Sequence, residues 1–145
     1  MTHTGTVADP AVIRRLLTTP ATWAVVGLST HASRTAYGVA RWMNDALGHR
    51  IIPVHPRAEA VWGEPGYQRL TQIPDGTVVG VVDCFVNSQQ VGAVVDEAIA
   101  NKERLAIKAL WLQLGVIDED AARRAVDAGL DVVMNTCPMM EYPKL

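Results

Sequence analysis

A short polar loop follows the first apolar run of the sequence, and its residues have the chemistry to hold a phosphate group. Residues 23–28 are predicted to form a buried strand that breaks at Gly27, and a helical pattern begins at Ala36. The loop between them carries hydroxyls and one guanidinium, on Ser29, Thr30, Ser33, Arg34 and Thr35. Backbone N–H groups at a helix start bind phosphate, and an arginine adds a charge-assisted contact. A bare strand-to-helix turn is the alternative, because only Gly27 fits the Gly-x-Gly-x-x-Gly pattern.

The end of the second predicted strand, residues 50–54, indicates which phosphate ligand fits. NAD sites tend to place an acidic residue there to accept hydrogen bonds from a ribose diol. This chain has His55, Pro56 and Arg57 instead, and Glu59 lies beyond the proline. Positively charged side chains at this position favour a ligand with a phosphorylated ribose, such as NADP or coenzyme A with its 3′-phosphate. The alternative is that His55 and Arg57 are solvated loop residues.

Other chemistries have less support in the sequence. The histidines show no ligand spacing with the two cysteines, so no metal site is predicted. Ser29 with His31 or His55 lacks the Gly-x-Ser-x-Gly elbow of a hydrolase. Cys84 lies in a valine-rich strand and is expected to be buried and inert. Cys137 follows a strand end and is either an accessible thiol or a packed tail residue. No catalytic residue is predicted.

Strands alternate with helices along the chain. Five apolar runs predict strands, over residues 23–28, 50–54, 77–86, 106–112 and 130–134. Helical stripes lie between them, with Asp118 as one N-cap and with Gly48 and Gly129 as terminators. An amphipathic helix capped by Asp9 precedes the first strand, and a helical turn is expected near residues 67–70. The pattern predicts an α/β fold, a single Rossmann-like doubly wound domain with a five-stranded parallel sheet.

Length and composition predict a single globular domain. Residues 1–8 are expected to be a loose tail, and residues 1–19 a tail and short helix packed on the domain of residues 20–145. The net charge is −2 over 145 residues, which predicts no nucleic-acid or membrane partner. No apolar run approaches membrane-spanning length, and the N-terminus lacks a signal-peptide pattern. Two cysteines are too few for a disulfide framework, so a cytoplasmic location is expected.

Ligands of open parallel sheets bind beyond the carboxyl ends of the strands. The five predicted ends are rich in glycine, proline and small polar residues. They lie at residues 27–29, 55–57, 85–86, 113–116 and 135–138. This composition is typical of a binding rim rather than a catalytic cluster.

Several of these blocks resemble a known family. They are Val26-Gly27-Leu28-Ser29, Ile52-Pro53-Val54-His55-Pro56, Trp111-Leu112-Gln113-Leu114-Gly115-Val116 and residues 128–138 ending in Asn135-Thr136-Cys137-Pro138. They resemble the stand-alone CoA-binding domain proteins, which are similar to the CoA-binding domain of the succinyl-CoA synthetase alpha subunit. The resemblance covers about residues 20–145.

The resemblance implies CoA in the crevice over the strand ends. The phosphates are expected to be held by Gly27, Leu28, Ser29, Arg34 and Thr35. The adenosine end is expected to be lined by Pro53, His55 and Pro56. The remaining contacts implied are packing by Phe85 and Val86, a pantetheine path along Gln113, Gly115 and Val116, and closure of the rim by Cys137.

The sequence thus predicts a small nucleotide-binding protein for coenzyme A or an acyl-CoA, and it favours a binding protein over an enzyme. Two alternatives remain open. One is an NADP-dependent oxidoreductase, although no Tyr-x-x-x-Lys pair supplies a proton donor. The other is a CoA-binding subunit of an acyl-CoA ligase complex. A homodimer or a ligase partner chain is compatible with either form of CoA binding.

Overall fold

The computed structural model describes residues 8–145, and the expected tail at residues 1–8 lies almost entirely outside this part of the chain. Five parallel strands form one sheet: β1 (Thr22–Val26), β2 (Arg50–Val54), β3 (Val81–Cys84), β4 (Ala109–Leu112) and β5 (Asp131–Val133). Their order is β2-β1-β3-β4-β5. In the sheet, β2 lies on one side of β1 and β3 lies on the other. The strand order therefore reverses between β1 and β3, where doubly wound folds place their ligands.

Five α-helices cover the two faces of the sheet. They are α1 (Pro10–Thr18), α2 (Thr35–Leu47), α3 (Val91–Ala100), α4 (Glu119–Asp127) and α5 (Pro138–Glu141). Helices α1 and α2 bury their apolar stripes against one face, around the fully buried Trp23 and Trp111. Helices α3 and α4 pack on the other face, around Val82 and Leu110. Both faces are covered, which explains the continuous apolar strands. The predicted Rossmann-like fold is confirmed.

Local signals for the helix ends behave as predicted. Asp9 caps α1 by accepting a hydrogen bond from the N–H of Ala11 at 2.9 Å. Asp118 caps α4 through the N–H of Ala121 at 3.0 Å. Gly48 ends α2 in the left-handed conformation, with φ 74°. These short polar contacts explain why the helices start and stop at these residues.

The third strand is shorter than predicted. The valine run predicts residues 77–86, but regular pairing covers only Val81–Cys84. Gly80, with φ 80°, turns the chain just before the strand. Phe85 and Val86 leave the strand and become walls of a cleft. Hydrophobicity alone does not separate strand from cleft wall, because both are apolar.

Two other segments differ from expectation. The helical turn expected near residues 67–70 is a 3₁₀ turn at Leu70–Gln72. The C-terminal tail, for which no element is predicted, forms α5 and a second 3₁₀ turn at Tyr142–Lys144. Within the described residues, no helix is long and apolar enough to cross a bilayer.

Candidate functional site

A cleft of about 590 Å³ opens at the carboxyl ends of β1 and β3, where the strand order reverses. It is lined by the β1–α2 loop and the start of α2, by the residues after β2, and by the residues between β3 and α3. These are Gly27, Ser29, His31, Arg34, Thr35, Ala36, His55, Pro56, Arg57, Phe85, Val86, Asn87 and Gln90. Its volume lies within the usual range for small-molecule sites.

Gly27 forms the floor of the cleft, directly after the last residue of β1. Its N–H donates to the carbonyl of Val54 at 2.7 Å, and the N–H of Phe85 donates to the carbonyl of Val26 at 2.8 Å. Gly27 has φ 104°, and an added Cβ would lie 2.4 Å from the carbonyl oxygen of Phe85. No side chain fits there without moving backbone. Glycine therefore lets the loop turn directly above the strand ends.

The start of α2 faces the cleft with groups that suit an anion. Arg34 is the N-cap residue, and its side chain makes no capping hydrogen bond. The first N–H groups of a helix have no partner within the helix. Thr35 and Ala36, which carry two of them, line the cleft. No ion pair between residues 8–145 involves Arg34. A helix dipole and an unpaired guanidinium thus point toward the same space.

The residues after β2 form a basic wall opposite this loop. The backbone N–H of Arg57 donates to Nδ1 of His55 at 3.2 Å, so a neutral imidazole carries its proton on Nε2. Burial lowers the pKa of His55, and the positive charges of Arg57 and Arg34 lower it further. His55 is therefore neutral at pH 7 and can donate from Nε2, while Arg57 and Arg34 supply the positive charge.

Glu59 is the acid nearest to this wall, and its carboxylate is already engaged. Oε1 accepts hydrogen bonds from the N–H of Thr30 at 3.3 Å and from its hydroxyl at 3.1 Å. It also lies 3.9 Å from Nε of Arg57. The Thr30 N–H is the main reason that the pKa of the Glu59 carboxyl is lowered. The cleft therefore presents cations and backbone amides rather than a free carboxylate.

Eight predicted site residues line the cleft together. They are Gly27, Ser29, Arg34, Thr35, His55, Pro56, Phe85 and Val86. Two others lie beside it but inside the protein. The Leu28 side chain is fully buried in the α2-side core, and Pro53 is buried within β2. Leu28 thus has only its backbone to offer a ligand in this conformation.

The remaining predicted residues lie along β4 and β5. Gln113 is 4% exposed, and its Nε2 donates to Oδ1 of Asp83 at 2.6 Å, inside the protein. Val116 packs into the α3/α4-side core, and half-buried Cys137 packs against the α2-side core. Gly115 is exposed, and its N–H donates to Oδ1 of Asn135 at 2.7 Å. The structure does not bring these four to the cleft walls.

Asp83 is a buried group that sequence reasoning missed. It lies in β3 with no exposed surface, and its Oδ2 has no hydrogen-bond partner among the described residues. Burial raises the pKa of Asp83 to about 8, against the opposing effect of the Gln113 hydrogen bond. The carboxyl is therefore mostly protonated at pH 7. A single acid inside a valine run is the sequence signal for such a group.

Other cleft residues were also missed. His31, Ala36, Asn87 and Gln90 line the cleft without being among the predicted set, and Arg57 was noted only as a basic residue. Asn87 precedes α3, whose N-cap is Gln90, and Oδ1 of Asn87 accepts from the N–H of Gln90 at 2.9 Å. His31 and Ala36 lie 5 and 10 residues after the end of β1, and Asn87 and Gln90 lie just before α3. A single sequence shows no distinctive pattern at such positions.

The cysteines and possible metal ligands give no further chemistry. Cys84 is fully buried, as predicted, and burial raises the pKa of its thiol. Both cysteines are free. Within the described residues, no group of three or more His, Cys, Asp or Glu side chains is arranged to hold a metal ion.

Comparison with known proteins identifies the family. Its model, described as CoA binding domain, matches residues 21–143. The uncharacterized protein YneT of Bacillus subtilis (strain 168) is 32% identical over 127 residues, which cover 88% of this chain and 89% of that protein. A hypothetical protein from Pyrococcus horikoshii OT3 has a TM-score of 0.84 at 31% identity, over 100% of this chain and 97% of the other. Dinucleotide-forming acetyl-coenzyme A synthetase 1 of Ca. Korarchaeum cryptofilum shares the fold at 24% identity and a TM-score of 0.66, over 85% of this chain and 28% of its own. The chain therefore belongs to the CoA binding domain family, as the sequence resemblance predicted.

Proposed function

We propose that this protein binds coenzyme A or an acyl-CoA in the cleft over β1 and β3, without a reaction of its own. The observation that carries the proposal is the combination of two groups on one side, the α2 N-terminus and Arg34, which forms no ion pair with residues 8–145, with His55 and Arg57 on the other. In this proposal the pyrophosphate lies on the β1–α2 loop and the 3′-phosphate lies near the basic wall. The family membership supports CoA as the ligand.

The state of Glu59 favours a phosphorylated ribose over NAD. An NAD site needs a carboxylate free to accept from the ribose hydroxyls. Both described donors to Glu59 come from Thr30, and Arg57 lies near the same oxygen. A ribose diol would have to displace those contacts, whereas a phosphate would meet Arg57 and His55 directly.

The other predicted ligand contacts belong to the same proposal. Leu28 would contribute through its backbone and Pro53 as rigid support beneath His55. The pantetheine would pass Gly115, with Gln113 and Val116 beneath the path and Cys137 at the far rim. Ser88 joins the segment after β3 to the loop after β4. Its hydroxyl donates to the carbonyl of Gly115 at 3.2 Å and accepts from the N–H of Ile117 at 2.9 Å.

The absence of a reaction is proposed from the hydroxyl and imidazole groups of the cleft. The Ser29 hydroxyl accepts from the backbone N–H of His31 at 3.2 Å. Between described residues, no hydrogen bond joins this hydroxyl to an imidazole nitrogen, as nucleophilic catalysis requires. The two free cysteines are compatible with a reducing cytoplasm, which we include in the proposal.

Isothermal titration and thermal unfolding with CoA, acetyl-CoA, NADPH and NADH test the proposal. Binding of CoA or acetyl-CoA is expected, with about 2.7 kcal/mol of added stability at 100 times the dissociation constant. NADH is expected to give no shift. Stabilisation by NADPH alone would overturn the proposal in favour of an oxidoreductase, because the basic wall also suits a 2′-phosphate.

A role as the CoA-binding subunit of a ligase is the second candidate. It is favoured by the similarity to a domain that spans 28% of an acetyl-coenzyme A synthetase chain. Affinity purification from the native cell, followed by mass spectrometry, separates the two. A stoichiometric ligase chain would support the subunit role, and CoA recovered with this chain alone would support the free-standing binder.

A further inference from the structure

One carboxylate ties the two loops that form the mouth of the cleft. The β1–α2 loop reaches Glu59 through both the N–H and the hydroxyl of Thr30. Glu59 belongs to the segment after β2, 29 residues away along the chain and on the opposite wall. We call these two hydrogen bonds the Glu59 clasp.

The segment that carries Glu59 is held firmly by the backbone. The N–H of His55 donates to the carbonyl of Tyr67 at 2.9 Å, and the N–H of Tyr67 donates to the carbonyl of Pro53 at 3.1 Å. Gly66 packs so closely that an added Cβ would lie 2.2 Å from the carbonyl oxygen of Glu59. The backbone of the segment that carries Glu59 is therefore held by contacts with Gly66 and Tyr67, neither of which lines the cleft.

The β1–α2 loop has much weaker support of its own. Thr30, Ala32, Ser33, Arg34 and Thr35 are exposed. Inside the loop, the N–H of Arg34 donates to the carbonyl of His31 at 3.0 Å, and Ser29 accepts from the N–H of His31. These bonds shape the turn but do not attach it to the opposite wall. Between described residues, the part of the loop from Leu28 to Arg34 makes that attachment through hydrogen bonds only in the Glu59 clasp. Helix α2 itself is joined to the same wall where Nε1 of Trp62 donates to the Tyr37 hydroxyl at 3.0 Å.

We propose that Glu59 is a positioning residue of the cleft, which holds the β1–α2 loop in the conformation that receives phosphate. This inference rests on the proposed function. A carboxylate at the mouth of an anion site opposes binding by charge, and Arg57 at 3.9 Å offsets that only in part. Its contribution must then come from its two accepted hydrogen bonds, which preorganise Arg34 and the α2 N-terminus.

Charge and hydrogen bonding can be separated by substitution. Glu59→Gln keeps an acceptor oxygen for Thr30 and removes the charge, so its CoA affinity is expected to equal or exceed that of the wild type. Glu59→Ala removes both and is expected to weaken CoA binding about tenfold. Thr30→Val keeps the shape and the N–H but removes the hydroxyl donor, and a smaller loss of about threefold is expected.

Glu64→Ala is the matched control. Glu64 lies in the same segment and pairs with Arg50 through two hydrogen bonds of 3.0 and 3.1 Å, away from the cleft lining. The Glu64→Ala substitution removes one negative charge and leaves the Glu59 clasp intact. Its CoA affinity is expected to stay within twofold of the wild type.

The experiment combines titration calorimetry with hydrogen exchange of the unliganded protein. In Glu59→Ala, a peptide covering residues 28–36 is expected to exchange faster, while a peptide from α3 is unchanged. Glu59→Gln is expected to restore slow exchange. If Glu59→Ala does not fold, the Thr30→Val affinity and exchange decide the question.

The outcomes separate this inference from the proposed function. Wild-type protein that binds no CoA overturns the proposed function and this inference with it. Wild-type protein that binds CoA, with Glu59→Ala at the same affinity, overturns the clasp alone. Equal losses in Glu59→Gln and Glu59→Ala also overturn it, because they would show that the charge, not the hydrogen bonding, is what matters.

Discussion

The loops after β1 and β2 and the loops after β4 and β5 leave the same edge of the sheet, yet they present different surfaces. The first pair surrounds the cleft with Arg34, His55, Arg57 and backbone amides. The loop after β4 and helix α5, which follows the loop after β5, expose large apolar side chains, on Leu114, Ile117, Met139 and Met140. Among the described residues that line the cleft, the groups that suit a phosphate thus lie at one half of the edge. The other half suits the uncharged part of a ligand, or a partner surface.

The central strands explain why the two halves differ. Asp83 in β3 lies in register with Trp111 in β4. Gln113, two residues beyond Trp111, therefore extends the same face, and the N–H of Gln113 still donates to the carbonyl of Cys84 at 3.2 Å. Its amide turns inward to the buried Asp83 instead of toward a ligand. After β1 the chain breaks at Gly27 and turns outward at once.

Replacing the glycine at each half is the strongest test of this difference. Gly27→Ala is expected to destabilise the fold by about 3 kcal/mol, because its Cβ would overlap the Phe85 carbonyl at a positive φ. Gly115→Ala also has a positive φ, of 84°, but nothing lies within 4 Å of its Cβ. It is expected to cost about 1 kcal/mol. Urea denaturation of both variants measures the two losses, and equal values would contradict the close approach at Gly27.

Much of the fold was predictable because it is recorded in local patterns. The stripe of α2, the caps Asp9 and Asp118, and the apolar strands each follow from neighbours in sequence. The exact end of β3 could not be predicted from local patterns, because Phe85 and Val86 are as apolar as the strand before them. Helix α5 was missed because four residues are too few to show a helical period.

The candidate site was predictable where residues directly follow a strand end or stand at the start of the next helix, as for Gly27 after β1, Arg34 before α2 and His55 after β2. These three meet one condition or the other, and Phe85 and Val86 after β3 do so as well. Gln113 sits at a strand end too, but its direction depends on Asp83, thirty residues earlier and on another strand. The clasp between Thr30 and Glu59 likewise joins two loops whose approach is a property of the folded chain. A single sequence does not contain such pairings.

The buried carboxyl between the two halves gives a pH-dependent prediction. Since folding raises the pKa of Asp83 to about 8, the native state holds a proton that the unfolded chain releases above its ordinary pKa of 3.8. Stability is therefore expected to fall as pH rises from about 5 to 8, by about 1.4 kcal/mol per pH unit from this group. Asp83→Asn does not titrate and is expected to lack this slope.

Urea unfolding of the wild type and Asp83→Asn at several pH values measures the difference in slope. Burial lowers the pKa of His49, so below pH 6.5 its contribution to the pH dependence of stability has the opposite sign to that of Asp83. His49 is present in both proteins, and comparing them removes its effect. Asp96→Asn, at an exposed pair with Arg124, is the control and should follow the wild type. Parallel curves for the wild type and Asp83→Asn would show that Asp83 is ionised in the native state.

The basic half of the edge is tested by replacing Arg34, which forms no ion pair with the described residues. Arg34→Ala is expected to weaken CoA binding about tenfold, or about 1.4 kcal/mol, because one charge-assisted phosphate contact is lost. The loss should shrink at high salt, where charge interactions are screened. Arg123→Ala, on the exposed face of α4 beside Asp120, is the matched control and should leave affinity unchanged. Equal CoA affinity of Arg34→Ala and the wild type would mean that backbone amides alone hold the phosphates.

A substitution in the apolar half is expected to have the smallest effect on CoA affinity. It also separates binding of the pantetheine from binding of the phosphates. Leu114 is 58% exposed, so Leu114→Ser is expected to leave stability nearly unchanged. Its affinity for CoA is expected to fall about threefold, because the pantetheine would lose an apolar contact. Its affinity for 3′-phosphoadenosine 5′-diphosphate, which has the phosphates but no pantetheine, should stay the same. A loss for both ligands would show that the two halves act together, and no loss for either would place the pantetheine away from the loop after β4.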